Sequence, residues 1–172
     1  MGGAEVRSRE ATISEAWQVL GGVLDPEVPA LSVCDLGLVR DIVVGDSGLQ
    51  VVLTPTYNGC PATEVIGQAV TDALVDAGLG PVQVTWQRAP AWTTDWISDD
   101  GRRKLREYGI APPGRCAGGD EGQPLRLHPR DLECPRCASR HTERLSAFGS
   151  TACKALYRCL ACREPFEHFK PI

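Results

Sequence analysis

The chain has 172 residues, 42% of them apolar, and a net charge of −4. That length holds one ordinary domain plus a small one, and no apolar run approaches the ~20 residues needed to cross a bilayer. The charge is uneven: residues 1–110 carry 8 Lys/Arg against 15 Asp/Glu, and residues 131–172 carry 7 against 5, so the acidic body argues against a protein built to coat nucleic acid.

Met1 to Glu10 carries Glu5, Arg7, Arg9 and Glu10 and no apolar core, which is unlike a signal peptide. Eight cysteines in a chain without a leader point to the cytoplasm, where thiols meet metals rather than one another.

Ile13 to Leu24 reads as a first helix. Ile13, Trp17 and Leu20 share a face, Thr12 and Glu15 suit a capping box, and Gly21-Gly22 weakens or ends it. Asp25-Pro26-Glu27-Val28-Pro29 is kept out of helix and sheet by its prolines. Leu38–Val44 and Leu49–Thr54 are β-branched, apolar runs joined by Gly45-Asp46-Ser47-Gly48, a hairpin signal. Pro61–Ala77 is a second helix: Pro61 suits its first turn, Val65, Ile66, Ala69, Val70, Ala73 and Leu74 make its buried face, and Gly78 stops it. Pro81–Gln87 alternates as a strand, and Gly101–Tyr108 is a short charged helix.

The order α-β-β-α-β-α predicts an α+β fold over residues 1–110: a small mixed three-stranded sheet with helices packed on it. Its first two strands pair antiparallel, and its third returns parallel by a right-handed crossover. Residues 111–130, with Pro112-Pro113-Gly114 and Gly118-Gly119-Asp120-Glu121-Gly122, read as a linker that buries nothing. Residues 131–172 form the second domain.

That tail holds Cys134-Pro-Arg-Cys137 and Cys159-Leu-Ala-Cys162, separated by 21 residues. Each pair places two thiolates on one side of a tight turn, and two such turns make a tetrahedral four-sulfur pocket suited to structural zinc. The intervening length suits the short antiparallel sheet of a zinc ribbon. Such a site is closed, so zinc here is scaffold rather than catalyst. Cys153 is either a fifth, free thiol or a substitute ligand, and the spacing prefers it free. Arg136, Arg140, Arg144 and Arg158 are interleaved with Asp131, Glu133, Glu143, Glu164 and Glu167, a poor basic stripe for nucleic acid.

In the body, Cys60 follows Asn58-Gly59 and precedes Pro61. A thiol at a helix N-terminus meets unpaired N–H groups and the positive end of the dipole, which favour thiolate. A small, buried capping cysteine with no further role is the competing reading. Asp25 and Glu27 flank Pro26 and read as solvated loop carboxylates. Cys34, beside Asp35, reads as a core thiol unless the fold brings it near Cys60. All three histidines, His128, His141 and His168, lie in the linker or tail, so the body has no histidine base for a cysteine hydrolase. Trp86, Trp92 and Trp96 lie within eleven residues and suit either core packing or a docking patch.

Asp25-Pro26-Glu27-Val28-Pro29, Asp35-Leu36-Gly37-Leu38-Val39 and Leu53-Thr54-Pro55-Thr56-Tyr57-Asn58-Gly59-Cys60-Pro61 resemble the successive motifs of small iron–sulfur assembly domains, the family of SufT-like and metal–sulfur cluster biosynthetic proteins. Several further segments resemble the PaaD family, accessory subunits of the phenylacetyl-CoA oxygenase (epoxidase) system. These are Ala89–Ile97, Tyr108–Pro113, Phe148–Lys154 and Glu164–Lys170.

The resemblance covers roughly residues 13–115 and 130–172. It implies a maturation factor, not an enzyme, that assists assembly or insertion of an iron–sulfur or iron centre in an oxygenase subunit, the reductase or the di-iron hydroxylase. A non-catalytic structural subunit of the complex is the alternative. The metal-transfer cysteine of such domains maps onto Cys60, with Cys34, Asp25, Glu27 and Asp35 as further candidates around a transient cluster or iron. Cys34 departs from the assembly-domain pattern. A homodimer stays open, and neither a membrane nor nucleic acid is expected as partner.

Overall fold

The computed structural model describes residues 8–57, 59, 61–114 and 132–172. Asn58, Cys60, Cys116, His128 and most of the expected linker lie outside the described residues. The chain divides into two compact units, Met1–Trp92 and Thr93–Ile172.

The first unit opens on helix α1, Arg9–Leu20. It starts earlier than its apolar pattern predicts because Ser8 is the cap: its hydroxyl accepts from the Ala11 amide at 3.2 Å. Thr12, the expected cap, sits one turn inside and donates to the Ser8 carbonyl. Ala16 and Leu20 are fully buried, whereas Trp17 is 38% exposed, so the helix turns Trp17 away from the core. Gly21 ends it, with its amide on the Trp17 carbonyl.

Strands β1 (Val39–Gly45) and β2 (Gly48–Leu53) pair antiparallel. Their turn depends on Gly48: its φ is +119°, and a Cβ there would run into the Pro81 carbonyl. Helix α2, Thr63–Asp76, buries Ile66, Val70 and Leu74 but leaves Val65, expected on the same face, 58% exposed, because the buried stripe follows the i, i+4 spacing of those three; it ends before Gly78, whose φ is +74°. Strand β3, Val82–Trp86, runs parallel to β2, as the crossover through α2 requires. The three strands lie in the order β1-β2-β3. The expected α+β class and mixed three-stranded sheet are borne out. Val51 and Leu53 of β2 and Leu31, Val33 and Leu36 of the preceding loop complete the core. Of Trp86, Trp92 and Trp96, Trp92 is the one buried in packing, 4% exposed, with its indole N–H on the Leu36 carbonyl at 2.9 Å, while the other two are half-buried.

The second unit begins well before the expected boundary at 110. Helix α3, Asp99–Tyr108, is capped by the Ser98 hydroxyl and closed by Gly109 in the left-handed region. Strand β4, Ile110–Ala111, then pairs parallel with β7, Pro165–Phe169. Arg102 holds the next residues by donating to the carbonyls of Pro113 and Thr94. Residues 111–114, expected as the start of a linker, are therefore tied to α3 and the tail. Strands β5 (Thr142–Ser146) and β6 (Lys154–Cys159) complete a sheet of order β4-β7-β6-β5, antiparallel from β7 to β5. This is the expected ribbon with one short parallel strand added. Its core gathers Ala111, Leu132, Ala155, Tyr157 and Phe166 beside Cys134 and Cys159.

Candidate metal centre

Both Cys-x-x-Cys turns have one geometry. In the first, the Ala138 amide donates to the Cys134 carbonyl and the Cys134 amide to the Ser139 carbonyl, each at 2.9 Å. In the second, the Cys162 amide points at the Cys159 sulfur at 3.5 Å and the Cys159 amide donates to the Glu164 carbonyl. The residue after each second cysteine takes a left-handed backbone: Ala138 at φ 59° and Arg163 at φ 67°. Neither is a glycine, so no residue type announces the turn. The Leu160 amide ties the second turn to the first by donating to the His141 carbonyl at 2.8 Å.

The result is convergence. The sulfurs of Cys134, Cys137, Cys159 and Cys162 all lie within 4.8 Å of one another. Cys134 and Cys162 are 3.8 Å apart, and Cys137 and Cys159 are 3.5 Å apart. A tetrahedral ion with bonds near ~2.3 Å needs edges of about 3.8 Å, so the donor set fits a four-thiolate metal. Cys134 and Cys159 rest on the core while Cys137 is exposed. Cys153 is not in the set. It is buried, with its sulfur 3.0 Å from the Thr151 hydroxyl.

The thiols also divide electrostatically. The Cys162 amide and its neighbours lower Cys159 to about 6. Cys162 has the Glu164 backbone in its favour, yet burial and the thiols of Cys137, Cys159 and Cys134 push it up to about 12. Four thiols this close resist joint ionisation, so a cation must displace protons to bind.

In the first unit, Asp25 and Asp35 hold the loop between α1 and β1. One Asp25 carboxylate oxygen accepts from the amides of Glu27 and Val28 at 2.9 and 2.8 Å. Asp35 accepts from the Ser32 amide and hydroxyl at 2.9 and 2.8 Å. Both aspartates are buried and have structural work, unlike the solvated loop carboxylate expected of Asp25. Glu27 is half-buried. Burial first, then the Asp35 charge, raises Cys34 to about 11, so Cys34 is a neutral thiol near pH 7. Cys60 lies outside the described residues. Of its flanks, Gly59 has φ +86°, and α2 starts at Thr63 with no side-chain cap from Ala62.

A family model described as "Iron-sulfur cluster assembly protein" matches residues 13–86, and one described as "PaaD zinc beta ribbon domain" matches residues 120–170. A protein of Escherichia coli K12, named as a putative subunit of 1,2-phenylacetyl-CoA epoxidase, is 50% identical over 93% of both chains. The chain belongs to the PaaD family. The "Fe-S protein maturation auxiliary factor YitW" of Bacillus subtilis is 33% identical over 52% of this chain and 88% of its own. Among solved structures, a DUF59 domain of Bacillus anthracis covers 56% of this chain and 93% of its own, with 25% identity and a TM-score of 0.53.

Within this PaaD-family chain, Asp25, Glu27, Cys34, Asp35 and Cys60 all fall in the assembly-type segment, and the four converging cysteines fall in the ribbon segment. No helix among the described residues is long and apolar enough to cross a membrane.

Two charged or titratable groups in the ribbon have no counterpart among the sequence expectations. Lys154, 3% exposed, pairs with Glu167 at 3.0 Å. His168, 2% exposed, has no hydrogen-bond partner at Nδ1 among the described residues and meets Tyr157 edge-on, and burial lowers it to about 4. A depressed histidine contributes stability fully present above its unfolded value near ~6.5, and lost as pH falls through the folded one. His168 should therefore cost the second unit about 3 kcal/mol between neutral pH and the acid side of its folded value. His168→Phe should flatten that part of the stability profile, measured by amide exchange in β6 and β7 across the range. An unchanged slope would refute the assignment.

Proposed function

We propose that this chain is a maturation factor, not an enzyme, for a phenylacetyl-CoA oxygenase. It would assist the assembly or insertion of an iron–sulfur or iron centre in an oxygenase subunit, either the reductase or the di-iron hydroxylase. The observation that carries this reading is the joining, in one chain, of an assembly-type segment to a four-cysteine ribbon, along the length of a relative named as an epoxidase subunit. The ribbon cysteines hold zinc as a structural ion. The cargo, iron or a cluster, passes through Cys60.

The division of labour follows from ligand number. Four thiolates hold a soft ion tightly, whereas a single thiolate with few co-ligands binds weakly enough to release it. Cys34, protonated near neutral pH, and Asp25 and Asp35, committed to the loop, serve better as the frame of this site than as its ligands.

The test is the oxygenase made in cells carrying Cys60→Ala. Its polypeptides should accumulate normally but carry several-fold less iron or cluster, and turnover should fall in proportion. Normal metal content and turnover would end the proposal. The second reading, a structural subunit, is favoured by the word "subunit" in the relative's name. The two separate in a reconstitution: fully loaded oxygenase turns over without this chain if the role is maturation, and stalls if it is structural.

A further inference from the structure

The ribbon leaves one aromatic ring outside. Phe148, in the β5–β6 turn, is 66% exposed, and Leu145, near the end of β5, is 49% exposed, while Tyr157, Phe166 and Phe169 are buried. Burying a ring is among the largest gains open to a unit this small, so an exposed one calls for a reason.

The ring also sits on a pinned turn. The Lys170 ammonium lies 4.6 Å from its centroid and donates to the Ala147 carbonyl at 3.3 Å. The Phe148 amide donates to the Ser146 hydroxyl at 3.1 Å, and the Gly149 amide to the Lys154 carbonyl at 2.8 Å. A side chain presented on a fixed turn loses little freedom when it binds.

The charges around the turn are one-sided. Glu143 is paired with Arg158, and Glu167 with Lys154 and Ser150. Among the described residues, Arg144 and Lys170 have no carboxylate within ion-pair distance, and Arg144 is exposed. The segment from Arg144 to Phe148 thus carries two exposed apolar side chains and one exposed cation, and Lys170 adds a second cation against the ring: half of a complementary surface. The missing half is apolar with an acidic rim. Two cations are too few to track a phosphate backbone, one ring is no stacking platform, and two apolar side chains are a narrow membrane anchor.

We propose that Leu145, Phe148, Arg144 and Lys170 form the surface by which the ribbon docks on an acidic, apolar-centred patch of the client protein. This rests on the maturation reading and adds where the client is gripped.

The experiment measures binding of the full, metal-loaded chain to each purified oxygenase subunit, at low and at physiological ionic strength. Wild type should bind one subunit and weaken with salt. Phe148→Asp and Lys170→Glu should each weaken binding at least about tenfold, and Arg140→Glu, at an exposed cation outside the patch, should not. Metal content and circular dichroism of the variants should match wild type, since Phe148 is exposed and Lys170 half-buried, and neither belongs to the ribbon core.

If Phe148→Asp and Lys170→Glu bind like wild type, the docking surface is wrong and the maturation reading stands. If wild type binds no oxygenase subunit, the partner in that reading falls and this surface falls with it. Phe148-dependent binding to phosphatidylserine vesicles or single-stranded RNA, in place of a subunit, would overturn the choice of a protein partner.

Discussion

Cys159→Ser should strip the metal from the ribbon and unfold α3 and strands β4 to β7, while α1, α2 and strands β1 to β3 keep their structure. Cys159 is fully buried at the end of β6, in the core cluster, with the other three sulfurs within 4.8 Å. A structural four-cysteine site supplies of order 10–16 kcal/mol of folding free energy, as much as the whole stability of an ordinary domain. Three thiolates and a hydroxyl cannot replace it.

The loss should spread beyond the tail, because β4 pairs with β7 and follows directly on α3. Amide exchange should show protection lost in α3 and β4 as well as in β5, β6 and β7, and retained in α2 and β2. Metal analysis should fall from one ion per chain to near none, and a chelator should reproduce the pattern in the wild type. Metal retained in Cys159→Ser would refute the ligand set. Protection retained in α3 would place the boundary back near residue 110.

The sheet of the first unit is legible in the sequence because its signals are local and agree. Each strand carries β-branched residues, Gly48 sits where the turn needs a positive φ, and α2 shows a clean apolar face. The start of α1 is less legible. Its apolar residues begin late, but its cap is a serine four residues upstream of Thr12, and a polar first turn has no periodicity to read.

The domain boundary is hidden for a different reason. Nothing local to Ile110-Ala111 announces a two-residue strand whose partner is Glu167-His168, more than fifty residues on. The Pro-Pro-Gly that follows looks like the start of a linker, yet Arg102 fastens it. In the candidate site the ribbon cysteines are readable from spacing alone. The roles of Asp25 and Asp35 are not, since an aspartate in a Pro-rich loop looks the same whether it faces water or binds amides three residues away.

Glu167→Ala should cost the second unit about 3–5 kcal/mol, because it leaves the Lys154 ammonium buried without its carboxylate. Lys154 has a side chain 4% exposed, and Glu167 has one 22% exposed. That asymmetry predicts an order. Lys154→Met leaves a carboxylate that still accepts from the Ser150 amide and hydroxyl and still touches water, so it should cost clearly less. The double change Lys154→Met with Glu167→Leu should recover much of the loss, since an apolar pair of similar volume often replaces a buried ion pair without penalty.

Gly149 belongs to the same arrangement: any Cβ there would collide with the Glu167 carboxylate. The Phe148–Lys154 and Glu164–Lys170 segments are thus two sides of one electrostatic clasp across β6 and β7. Acid should loosen it. Burial alone would raise Glu167, but the Ser150 amide and then Lys154 outweigh it and hold the carboxyl below its ordinary range. The clasp is therefore complete above the ordinary carboxylate range and is lost as pH falls through the folded value.

Denaturant-dependent amide exchange in β6 and β7 of the metal-loaded chain would rank the three variants. A Lys154→Met penalty equal to or above that of Glu167→Ala would show that the clasp is a surface contact, and that the buried ammonium is not what Glu167 answers.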